Sequence, residues 1–138
     1  MDNETGKLPI EETLTAEELK TPETLAKFIV SVLDAKKARD IRLLHVEDRT
    51  IIADYFVIAT GSSRTQIRAL ADEIEFRLEP YGIKPHHVEG ADTGVWVLED
   101  FGAVIVHLFN SEGREFYNLD KLYQDTTERD ISALITED

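Results

Sequence analysis

The chain has 138 residues, 42% of them apolar, with 28 acidic and 15 basic side chains and a formal net charge of -13. That composition fits one globular domain able to hold a core unaided, and the absence of cysteine removes disulfides, thiolate zinc sites and cysteine nucleophiles. The acidic balance argues against wrapping DNA or another phosphate backbone and leaves basic proteins as natural partners; with no stretch near the ~20 apolar residues of a membrane span and no leader pattern, the sequence reads as soluble and cytoplasmic.

The charge is unevenly spread. Residues 1–20 carry six acids and two lysines and residues 125–138 five acids and one arginine, so each end holds -4 and the middle -5. We read residues 1–20 as an acidic flexible N-terminal extension with a helical turn around Ala16 to Leu19. Residues 21–124 form the folded domain, and residues 125–138 an acidic C-terminal tail in which Ile131, Leu134 and Ile135 allow a short terminal helix.

Thr21-Pro22-Glu23 marks a helix start, with an N-cap threonine, a first-position proline and an acid beside the positive helix end. Leu25, Phe28, Ile29, Val32 and Leu33 follow at spacings of three and four, predicting a core-facing helix that ends near Ala38. Ile41 to Val46 and Tyr55 to Thr60 read as strands joined through Glu47-Asp48-Arg49-Thr50. Gly61-Ser62-Ser63 stops the second strand and caps a further helix, whose apolar stripe is Ile67, Leu70, Ile74 and Leu78 and which ends at Pro80-Tyr81-Gly82. Short strands follow at His86 to Glu89, Val95 to Leu98 and Ala103 to Phe109, the last two joined by a four-residue loop, Glu99 to Gly102. Helical segments over Ser111 to Asn118 and Leu119 to Tyr123 complete an α/β chain of α+β-like character, a small mixed sheet with helices packed on it.

The strands at 95–98 and 104–109 are apolar on both faces, Trp96 and Leu98 pointing one way and Val95 and Val97 the other. Either a helix covers the second face, or part of it, or of the hairpin edge, is a docking surface. Trp96, the single tryptophan, suits a core or an interface equally.

Thr60-Gly61-Ser62-Ser63 joins a strand to a helix, a junction that can hold phosphate. Nucleotidyl transfer also needs two carboxylates one residue apart on a neighbouring strand to hold metal ions, and no such pair occurs: Asp72-Glu73 falls within a helix, Glu99-Asp100 in a loop, and Glu89 and Asp92 are three apart. His86 and His87 face opposite sides of a strand, and His45 and His107 sit in apolar runs as hydrogen-bonded structural histidines, so no metal site is expected. Ser62 and Ser63 lack a partner base at any favourable spacing.

Asp54 to Ser63, Arg68-Ala69-Leu70-Ala71-Asp72, Val88-Glu89-Gly90, Gly94-Val95-Trp96-Val97-Leu98, Asp100-Phe101-Gly102, Val106-His107-Leu108-Phe109 and Arg114 to Leu119 together resemble the ribosomal silencing factor, or Iojap, family over roughly residues 22 to 124. The resemblance implies a fold similar to nucleotidyltransferases without their catalytic carboxylates, and no catalytic residue, metal or cofactor. It implies binding to the large ribosomal subunit through ribosomal protein L-fourteen, which blocks joining of the small subunit and represses translation when nutrients are short. In the family the tryptophan hairpin belongs to the docking region, which nominates Trp96, Leu98, Asp100 and Phe101, with His107 and Tyr117 as weaker candidates. A nucleotide-binding or nucleotidyltransferase-like enzyme using the Gly61 to Ser63 turn is the alternative, and pairing of two free copies stays open.

Overall fold

The computed structural model describes residues 14–136. The greater part of the expected N-terminal extension, residues 1–13, lies outside the described residues, as do residues 137–138. The expected turn before the domain is present as a 3-10 helix over Glu18–Lys20, and Leu19 within it is fully buried in the core.

Helix α1 spans Pro22–Ala35, three residues shorter than its pattern suggested, because Lys37 and Asp40 take positive φ as the chain reverses into β1. Thr21 occupies the N-cap position without a side-chain cap, its carbonyl accepting instead from the Leu25 amide at 2.9 Å. Strand β1 is Arg39–His45, β2 is Tyr55–Thr60, and α2 runs Arg64–Leu78 behind a true cap, Ser63 Oγ accepting from the Gln66 amide at 3.0 Å. Strands β3 (His87–Glu89), β4 (Trp96–Asp100) and β5 (Val104–Phe109) follow, then helices α3 (Ser111–Tyr117) and α4 (Leu119–Leu122). Asn110 caps α3 by accepting from the Gly113 amide.

The segment expected to solvate the chain as a C-terminal tail is instead part of the domain. Thr127–Arg129 forms β6, paired antiparallel with β1, and a 3-10 turn at Ser132–Leu134 brings Ile131, Leu134 and Ile135 against the core. Its acids are paired: Glu128 binds Arg42 and Asp125 binds Arg49. A count of charges cannot see such pairs, which join residues more than seventy positions apart.

One mixed sheet of six strands results, in the order β3-β4-β5-β2-β1-β6, with β2 and β5 parallel at its centre and every other pair antiparallel. Alternation along the strands assigns the faces. Tyr55, Val57, Ala59, Val97, Val104, Val106 and Leu108 meet α1 and α2 in the larger core. Leu44, Phe56, Ile58, Ile105 and Phe109 face the other way, where Leu119 and Tyr123 cover them. The two-faced apolar strands are thus explained in part by a second helical layer. Among the described residues no helix is long and apolar enough to cross a membrane.

That second layer is short and is pinned by charge. Arg114 of α3 grips Asp120 of α4 with two donors, at 2.7 and 3.0 Å, and gives a third to Thr60 Oγ1 of β2 at 2.8 Å. Arg42 of β1 donates to the same carboxylate at 2.6 Å and binds Glu128 of β6 through two further bonds. Burial alone would raise the Asp120 pKa, but Arg114 and Arg42 outweigh it and hold the carboxyl below its ordinary range. Asp120→Asn should therefore cost about 2 kcal/mol near neutrality, since it leaves two half-buried guanidiniums short of a partner. With the folded pKa depressed, the contribution is complete above the unfolded aspartate range and is lost as pH falls through the folded value. Urea unfolding at several pH values should show the mutant's deficit shrinking in acid; a deficit of equal size at all pH values would mean that the charge of Asp120 is not what holds α3 and α4.

Candidate functional site

Strand β4 carries the residues singled out from the sequence, and its alternation divides them between the two sides of the sheet. Trp96, Leu98 and Asp100 lie on the face covered by α3 and α4, while Val97 and Glu99 lie on the face covered by α2. Neither Trp96 nor Leu98 is fully covered, because the short second layer ends at Tyr117, whose ring lies 4.7 Å from the Trp96 ring.

Trp96 is the centre of an aromatic cluster. Its ring centroid is 5.0 Å from Phe109 and 5.9 Å from His107, and Tyr117 stacks against Phe116, which is 79% exposed. The indole N-H donates to His107 Nδ1 at 3.1 Å, so the neutral imidazole carries its proton on Nε2. His107 is itself 3% exposed, with Phe56 packed edge-on at 4.5 Å. Burial pulls its pKa down to about 3, so it acts as a neutral prop beneath Trp96. This matches the reading of a hydrogen-bonded structural histidine. The backbone leading into the strand is equally fixed: Gly90 has φ +80°, and a Cβ there would lie 1.9 Å from the Trp96 carbonyl oxygen.

Two of the nominated residues sit elsewhere than the resemblance implied. Phe101 is 7% exposed and belongs to the helix-side core, because position 101 falls in the alternation with Val97 and Glu99 rather than with Trp96. Phe101 is therefore separated from the patch by the thickness of the sheet, and His107 lies under the patch and not on it. Asp100 stays partly exposed at the strand end, where its Oδ1 accepts from the Gly102 amide at 2.7 Å and Gly102 takes φ +92°. The expected four-residue hairpin loop is thus three residues, Phe101 to Ala103, with Glu99 and Asp100 in the strand.

The Gly61 to Ser63 turn is engaged internally. The Gly61 amide donates to the Phe109 carbonyl at 2.8 Å, the Ser62 amide to Gln66 Oε1 at 2.5 Å, and Ser63 is occupied as the cap of α2. These are the donors a phosphate would require at such a junction. Among the described residues no group of three or more His, Asp or Glu side chains could hold a metal ion.

Glu99 is the residue that the sequence reading missed. It was assigned to a loop, yet it lies within β4, 0% exposed, and neither carboxyl oxygen reaches a hydrogen-bond partner. Its position two residues after Val97, on the face that α2 must cover, was the available signal.

A family model described as ribosomal silencing factor during starvation matches residues 19–138. A protein named ribosomal silencing factor RsfS from Bacillus subtilis is 39% identical over 108 residues, covering 78% of this chain and 92% of its own. The maize protein named Iojap, chloroplastic, is 38% identical over 72% of this chain and 45% of its own. A crystal structure from Chromobacterium violaceum superposes with a TM-score of 0.71 at 30% identity, covering 74% of this chain and 85% of that one. One from Bacillus halodurans gives 0.68 at 34% identity, with 78% and 99% covered. The names of the first two describe a regulatory role in translation and not a reaction.

Two measurements check the electrostatics of this region. Burial first, and then the Glu75 and Asp72 carboxyls, push Glu99 up to about 10, so it folds protonated. A folded pKa above the unfolded one gives stability that is complete below the unfolded value and is lost as pH rises toward the folded one. Relative to Glu99→Gln, the wild type should lose about 1.4 kcal/mol of stability per pH unit across the neutral range in chemical denaturation. Parallel curves for the two proteins would show Glu99 ionised in the fold. Trp96 fluorescence should stay flat from about pH 5 to about pH 8, since His107 does not titrate there; a transition in that window would contradict its neutral, buried state.

Proposed function

Since the chain belongs to the ribosomal silencing factor family, we propose that it represses translation by binding the large ribosomal subunit through ribosomal protein L-fourteen and obstructing the small subunit. The observation that carries this reading is the aromatic surface around Trp96, which the short layer formed by α3 and α4 leaves partly open. Tryptophan in a partly covered, rigidly held position is the residue type most often found to dominate an interface. Leu98 and Tyr117 extend the apolar area, and Asp100 supplies a carboxylate at its border for lysine or arginine on a basic protein. The mechanism is occupancy: a bound globular domain excludes the other subunit without chemistry.

The acidic charge supports the same partner class. It steers the chain toward a basic protein and repels exposed ribosomal RNA, so it acts on encounter and register more than on final affinity. Phe101 and His107 enter the proposal as supports, one holding the end of β4 to the helix-side core and the other holding the indole. Pairing of two free copies through the same aromatic surface is compatible with this function only if the subunit displaces the second copy.

Co-sedimentation with separated subunits, followed by a subunit-association assay, tests the proposal. The protein should pellet with the large subunit and reduce joining. Trp96→Ala should keep the fold by circular dichroism but bind about 30-fold more weakly, the equivalent of ~2 kcal/mol. A folded mutant that pellets with wild-type affinity would remove Trp96 from the interface, and binding of the wild type to neither subunit would overturn the proposal itself.

A further inference from the structure

On the helix-covered side of β4, away from the aromatic surface, α2 and the segment leading into β3 enclose a pocket of about 490 Å³. One wall is a stripe of α2: Asp72, Glu75, Phe76 and Glu79, at helical spacings of three and four; the other includes Ile83 and Lys84. Behind the acids lies Glu99, on the strand that α2 packs against. A fully buried carboxyl without a hydrogen-bond partner is uncommon in a folded protein and calls for a physical account. The residues that flank it across the sheet, Val88 and Val106, are apolar and give none. Lys84 at the rim makes no ion pair among the described residues.

We infer that this pocket is a binding site for an organic cation, a guanidinium or primary ammonium group, which enters between Glu75 and Asp72 and is received by Glu99. Three features select the class. A pocket of this size suits a side-chain-sized group better than a bare ion, and the acids do not form a metal cluster. Phe76, 63% exposed, offers a ring face to the cationic head, and Ile83 offers apolar surface to an alkyl stem. Two carboxylates at the rim and one carboxyl in the floor supply acceptors for the several N-H donors of such a head.

Binding then moves a proton. Glu99 is neutral in the unliganded fold, and it ionises when the cation arrives, passing its proton to solvent as the ion pair forms. The charged groups facing it are Glu75 and Asp72 of α2, with Glu79 and Lys84 further out along the pocket. The first two disfavour ionisation until a cation lies between them.

Isothermal titration of the full chain with N-acetyl-arginine amide and, separately, spermidine tests this in two buffers of different ionisation enthalpy. The expected result is saturable binding with about one proton released, its affinity rising up to about tenfold per pH unit between pH 6 and pH 8. Glu99→Gln, which keeps the shape and the outer acids, should lose the proton release and at least about tenfold in affinity. Tighter binding of the arginine amide assigns the site to a partner's side chain, and of spermidine to a free polyamine. The inference is overturned if neither saturates at millimolar concentration, if Glu99→Gln binds as the wild type does, or if magnesium at equal ionic strength displaces the probes completely. Because none of these readouts involves the ribosome, they stand apart from the proposed function.

Discussion

The parallel pairing of β2 with β5, two strands buried from end to end on both faces, sets what every other element must do. A parallel pair at the centre of a sheet cannot turn one side to water; both sides must be covered. The chain answers unequally. Helices α1 and α2, of 14 and 15 residues, span one face, while the other receives α3 and α4, of seven and four. The shorter layer reaches across β1, β2 and β5 but stops short of β4, and the partly covered stripe of Trp96 and Leu98 is the remainder of that mismatch.

Because so short a layer buries little area, its position depends on polar bonds. One carboxylate, Asp120, takes three donor contacts from two arginines, and those arginines reach Thr60 and Glu128 on neighbouring strands. The network ties α3, α4, β1, β2 and β6 into one body. Exposed ion pairs contribute little singly, but a bidentate pair that is four-fifths shielded from water is a geometric constraint as well as an attraction. What it fixes includes Tyr117, at the end of α3, and through Tyr117 one edge of the aromatic surface.

Much of this was legible in the sequence, for reasons that can be named. The start of α1, the cap of α2, both central strands and the two-faced apolar pattern follow from local punctuation and period, which act over a few residues. The failures are all non-local. Nothing in Thr127-Glu128-Arg129 reads as a strand apart from the β1 edge that it completes, and the acids around it look like a solvated run until Arg42 and Arg49 are placed beside them. Glu99 and Phe101 were misplaced by one error, the end of β4: once the strand extends through Asp100, alternation sends Glu99 and Phe101 to the helix side and leaves Asp100 with Trp96. A polar residue in a short apolar run is a poor marker of a strand end when an adjacent helix can bury it.

The same alternation decides what kind of contact the aromatic surface can make. Trp96 is often valued at interfaces because its ring is apolar and its N-H can still bond a partner. Here that N-H is already used, donated inward to His107, and burial keeps His107 neutral so that the bond persists at physiological pH. The indole therefore offers a docking partner ring area and no donor, which gives affinity without direction. Direction has to come from Asp100, whose Oδ1 is held by the Gly102 amide and whose other oxygen is turned to an incoming donor only in the orientation that this bond sets. The sheet spacing between positions 96 and 100 then fixes the distance between the apolar anchor and the charged one, and a partner must match that distance to use both.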